Sequence, residues 1–154
     1  MNDINLQSSK SMATSLESIH NRKAGLNKRR SNLLNRTPVV GSWARFDVNS
    51  IKINDLAYLT AKTSHEFALL RGKRSDILFH GDRYSCRFDD ELVSLLQSKA
   101  LKIIAHSHPG EDMPIPSQAD RRTLKMLDQT SSIIISATTG RQITYTQDEF
   151  DGLL

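Results

Sequence analysis

Residues 101 to 120 read LKIIAHSHPGEDMPIPSQAD. The apolar opening, LKIIAHSH (101–108), reads as a strand that ends in two histidines. Pro109, Gly110, Pro114 and Pro116 break the chain into a loop, and a helix follows from Ser117 to about residue 128 with Leu124 and Leu127 turned inward. Side chains two apart on a strand share a face, so His106 and His108 can reach one metal ion at about 2.0 to 2.1 Å. Asp120, in the first turn of the helix, supplies a third ligand. Three protein ligands with an open fourth position describe a catalytic zinc site rather than a structural one, with one zinc per chain.

Outward from this stretch, strands and helices alternate. EFALLRG (66–72) and DILFHG (76–81) read as two strands joined by the polar turn Lys73-Arg74-Ser75. Residues 52–62 read as a short helix or turn. Asp89 and Asp90 open a helix with Leu92, Leu95 and Leu96 at three- and four-residue spacing. SSIIISA (131–137) and RQITYT (141–146) form a closing hairpin around Thr138-Thr139-Gly140. The expected fold is a mixed α/β domain, a central sheet flanked by helices, over residues 41–154. Residues 1–40 read as a basic leader, polar and disordered to residue 13. A helix over 14–35 follows, marked by Thr14 and Glu17 at capping-box spacing and by a thin apolar stripe.

A metal that activates water still needs a base to take the proton. Glu66, at the start of an apolar strand, is the candidate, since a carboxylate there needs a partner or a task. Ser117 precedes Asp120 by one helical turn, where it can support a developing oxyanion or act as the helix N-cap, or both. His65-Glu66 does not open the helical zincin motif, because residue 69 is Leu. His20 and His80 read as surface residues, and Cys86 as a half-buried small side chain.

The single cysteine, Cys86, excludes an intramolecular disulfide and cysteine-rich zinc sites, and points to a reducing, cytoplasmic compartment. No stretch approaches the roughly 18 to 20 apolar residues that cross a bilayer. The net charge of +4 is uneven: residues 1–50 hold eight basic and three acidic residues, the remainder 13 and 14. The basic leader reads as a solvated tail, with contact to nucleic acid or to an acidic partner as the alternative.

The pattern Glu66 … His106-Ser107-His108-Pro109 … Pro116-Ser117-Gln118-Ala119-Asp120 resembles the JAMM metallopeptidases of the JAB/MPN domain family, over about residues 50 to 150. The setting Glu66-Phe67-Ala68-Leu69-Leu70-Arg71-Gly72 is similar to the strand that carries the family's base. The resemblance implies a cytidine-deaminase-like sheet flanked by helices and zinc-dependent hydrolysis of a peptide or isopeptide bond. It implies zinc ligands at His106, His108 and Asp120, a general acid/base at Glu66, and oxyanion support from Ser117. Residues 127–134 with Gly140-Arg141 and Tyr145 look most like compact bacterial or phage JAB domains. The implied substrate is a protein or peptide, with the C-terminus of a ubiquitin-like protein as one candidate. A toxin-associated effector protease and a non-catalytic zinc-binding assembly module docking through the basic leader are the competing readings.

Overall fold

Strands buried along their whole length must be covered on both faces, and helices supply that cover here. In the computed structural model, which describes residues 25–110 and 113–148, the chain runs α1 (Lys28–Arg36), β1 (Trp43–Asp47), α2 (Ile53–Thr63), β2 (Phe67–Arg71), β3 (Ser75–His80), α3 (Asp90–Gln97), β4 (Lys102–His108), α4 (Gln118–Leu127), β5 (Ser131–Ser136) and β6 (Gln142–Thr146). Among the described residues these strands form one six-stranded sheet in the order β1-β3-β2-β4-β5-β6. Only β4 and β5 are parallel, joined through the crossover helix α4. The architecture is mixed α/β.

Alternation along the strands divides the core. Phe67 and Leu69 face Leu56, Ala57 and Leu59 of α2 and Leu33 of α1, whereas Ala68 and Leu70 face Leu92 and Leu96 of α3 and Leu127 of α4. Between β2 and β4 the register slips by one residue: Leu69 pairs with Ala105 and Leu70 with Ile103. The extra residue, Ile104, is a bulge, and it leaves Ile103 and His106 on the same face.

The leader contributes to the domain. Leu26 and Leu33 pack on the α2 side of the core. Asp55, fully buried, accepts from Arg30 Nε at 2.8 Å and from both terminal nitrogens of Arg29, and also from the Lys52 backbone N–H at 2.8 Å. One carboxylate thus starts α2 and holds α1, and the guanidinium of Arg30 lies 3.5 Å from the Tyr58 ring centroid. Two of the basic residues expected in a solvated leader are therefore committed to packing. The helix begins at Lys28 and ends at Arg36, and the Thr14–Glu17 cap lies outside the described residues.

Two expectations are corrected. Residues 43–47 form a strand that the sequence reading lacked, paired antiparallel with β3 at the sheet edge. The sequence WARFD has a mixed burial pattern and no clean alternation, as an edge strand permits. His80 is buried, 3% exposed, not a surface residue. Its Nδ1 donates to Thr37 O at 2.8 Å, so its Nε2 accepts from His65 Nδ1 at 2.8 Å, and its ring stacks on Phe67. His20 lies outside the described residues. Among these residues no helix is long and apolar enough to cross a membrane.

Burial, opposed by the bond to Thr37, lowers the pKa of His80. The unfolded chain then takes up the proton first as pH falls. His80 therefore costs nothing above the ordinary imidazole value of about 6.5 and erodes stability below it. The urea midpoint is expected to fall between about pH 7.5 and about pH 5.5, and to fall less in His80→Phe. Equal slopes in the two proteins would assign the acid sensitivity elsewhere.

Candidate metal centre

The site grows from β4, a central strand with β2 on one side and β5 on the other. His106 and His108 project to the face shared with α3 and α4, and both are buried. Ser107 points the opposite way, also buried, and its hydroxyl ties three elements together. It accepts from Phe67 N at 3.0 Å, donates to Phe67 O at 3.2 Å and contacts Thr60 Oγ1. Since the Ser107 proton goes to Phe67 O, Thr60 is the donor in the last pair. The strand is thereby fixed from behind at the residue between the two histidines.

The Nε2 atoms of His106 and His108 lie 3.1 Å apart. Asp120 closes the group from α4, with Oδ1 at 3.2 Å from His106 Nε2 and Oδ2 at 3.4 Å from His108 Nε2. Its position follows from the helix start. Ser117 is the N-cap, its Oγ accepting from Asp120 N at 3.0 Å while Ser117 N donates to Asp120 Oδ2 at 2.9 Å, a reciprocal capping box. Burial alone would raise the pKa of Asp120, but hydrogen bonds from His106 and His108 hold it well below the usual carboxylate range.

Glu66 enters from the start of β2. Its backbone is pinned on both sides, N–H donating to Asp82 O at 2.8 Å and C=O accepting from Gly81 N at 2.7 Å. Its carboxylate is buried, with Oε2 at 3.9 Å from His108 Nε2. The Cys86 thiol faces Oε1 at 3.9 Å, and burial, followed by the charge of Glu66, raises its pKa well above the ordinary thiol value. Cys86 is therefore a protonated neighbour rather than a nucleophile.

The buried group of Glu66, His106 and His108 offers ligand atoms within 4.8 Å of one another and could hold a metal ion. Ligands at about 2.0 to 2.1 Å from a tetrahedral ion lie about 3.3 Å from one another. The separations of 3.1, 3.2 and 3.4 Å among His106, His108 and Asp120 match that edge, whereas Glu66 at 3.9 Å stands outside it. Four of the five residues singled out in the sequence thus meet at one point. Ser117 is exposed but lines the same cavity, about 400 Å³ in volume, as Glu66, His106 and Asp120.

Neither a protein-family model, nor a curated protein, nor a solved structure matches this chain. The geometry stands alone.

Sequence reasoning missed the support around the site. Tyr145, buried on β6, stands edge-on to the His106 ring with centroids 5.9 Å apart, and its hydroxyl bonds Ser132. Its alternation within RQITYT announced an inward side chain but not the partner. Gly81 is required by close approach: a Cβ there would lie 2.5 Å from Ser85 O and 3.0 Å from Glu66 O. Both neighbours are backbone atoms that cannot swing aside, so Gly81→Ala is expected to cost about 1–3 kcal/mol and to shift Glu66. Chemical denaturation measures the first effect, and weaker binding of added zinc the second.

Proposed function

We propose that this chain is a zinc-dependent hydrolase of peptide or isopeptide bonds, of the JAMM kind, with a JAB/MPN-type, cytidine-deaminase-like fold. The observation that carries the reading is the near-tetrahedral spacing of His106, His108 and Asp120 with the buried Glu66 carboxylate just beyond it. Imidazole nitrogens and one carboxylate suit zinc among the divalent ions. Glu66 as a ligand is the less favoured assignment, because its oxygen is the most distant of the set.

A bound zinc ion supplies a Lewis acid that acidifies water and polarises a carbonyl. The remaining work falls to the protein. Asp120 brings the negative charge that a cation needs, and the capping box fixes its rotamer. Glu66 takes a proton from the attacking water at Oε2 and returns it to the leaving amine nitrogen. Water adds to the carbonyl carbon, the C–N bond breaks, and a carboxylate and an amine leave. Ser117 Oγ accepts Asp120 N–H through a lone pair, which leaves its proton for the oxygen where charge develops. Cys86 donates to the other Glu66 oxygen and orients the carboxylate. The substrate is a protein or peptide, with ubiquitin-like C-termini among the candidates. The lone cysteine suits a cytoplasmic setting.

The test is elemental analysis of the purified full chain combined with hydrolysis of peptide and ubiquitin-like substrates, with and without chelator. About one zinc per chain and chelator-sensitive cleavage restored by added zinc are expected. A wild type that takes up no zinc overturns the reading.

A further inference from the structure

The cavity that opens on Glu66, His106 and Asp120 continues past them. It becomes a cleft between α3 and α4, lined by Phe88, Val93, Ile103, Ala119, Thr123 and Met126. Ala119, Thr123 and Met126 recur at helical spacing, so they form one stripe on α4 that begins beside Asp120, apolar but for the Thr123 hydroxyl, which donates back to Ala119 O. Seven residues of helix carry this stripe about 10 Å away from the metal ligands, the length of about three residues of extended peptide. At the mouth stand Tyr84 and Met126, 81% and 57% exposed, large apolar side chains in water next to a reacting centre. Beyond Glu66 and Asp120 the charged residues are basic: Arg87 lines the cleft, and Arg122 and Lys125 flank the outer face of the same stripe.

We infer that this cleft is a specificity pocket for an extended peptide that carries a bulky apolar side chain beside the scissile amide and an acidic residue next to it. The inference rests on the hydrolase reading of the site and names its substrate class. A cavity of about 400 Å³ is of the size that ligand pockets have. A diglycine tail would leave its apolar walls hydrated, whereas a leucine or phenylalanine side chain removes that surface from water. The acidic flank answers Arg87 on one side or Arg122 and Lys125 on the other. Selectivity by this cleft therefore favours a peptide with a large side chain over a ubiquitin-like terminus.

The test uses the full chain, stripped with chelator so that nothing is cut, and fluorescently labelled hexapeptides that differ at one central position. In fluorescence anisotropy, Leu or Phe at that position is expected to bind at least about tenfold more tightly than Gly. Replacing the adjacent Glu of the peptide by Lys weakens binding further, in a salt-dependent manner. Two variants remove the preference: Ala119→Trp, which fills the cleft from an exposed helical position, and Met126→Gln, which makes an exposed wall polar and leaves the core untouched. Equal binding of the Gly and Phe peptides, or a preference that survives in both variants, overturns the inference. Indifference to the Glu-to-Lys exchange overturns its acidic half. Selective binding by the stripped protein, with no cleavage of the same peptides once zinc is restored, would instead count against the hydrolase reading and leave the pocket standing.

Discussion

Glu66→Gln is expected to hold about one zinc per chain and to lose hydrolysis by about 10²- to 10⁴-fold, the usual contribution of a positioned general base. Glutamine preserves the shape of the buried side chain and keeps an oxygen to accept from Cys86, and the backbone bonds to Gly81 and Asp82 do not involve the carboxylate. What it cannot do is take a proton. The loss should therefore appear in kcat with KM little changed, because substrate binding and metal binding are left intact. A variant that keeps full activity would remove Glu66 from the chemistry. One that loses zinc would make it a ligand and promote the alternative set of Glu66, His106 and His108.

The double variant His106→Ala/His108→Ala is expected to purify without zinc and to give no cleavage. Wild type, by contrast, gains stability from saturating metal, about 4 kcal/mol at a thousandfold excess over Kd, seen as a zinc-dependent rise in Tm. The variant should show no such rise. Its metal-free fold should persist, since Ser107 still anchors β4 to β2 and the strand keeps both neighbours. Unchanged zinc content in the double variant would rule out β4 as the source of the ligands.

How much of this was legible depends on the range of the interaction that decides each feature. His106 and His108 share a face because of a two-residue period, and Asp120 sits beside Ser117 because of a helix cap; both are local rules written in consecutive residues. The strands at 67–71, 75–80 and 102–108 declared themselves in the same way, as apolar runs bounded by turns. Glu66 lies 40 residues from His106. No local period brings the two together; the pairing of Ala68 with His106 across β2 and β4 does, and the sequence pointed to Glu66 only through its setting and the family resemblance. His80 was misread for the same reason, because its partners, Thr37 and His65, arrive from distant elements and satisfy a ring that the sequence leaves polar. The edge strand at Trp43–Asp47 lacked a pattern, since an edge needs only one paired side, and Trp43 Nε1 instead reaches Asp89 Oδ2. The Arg30–Asp55 pair shows the limit of charge counting: a basic stretch reads as solvated until a buried acid elsewhere claims it.

The docking of α1 also gives the molecule a back and a front. Leu26 and Leu33 lie against the α2 side of the sheet, while His106, Asp120 and the cleft between α3 and α4 open on the other. A fluorophore or surface anchor placed on α1 itself, at the exposed Asn32, sits behind the sheet. Immobilisation through α1 should thus leave the reactive mouth facing outward, and a label carried there would not compete with a substrate for the same surface.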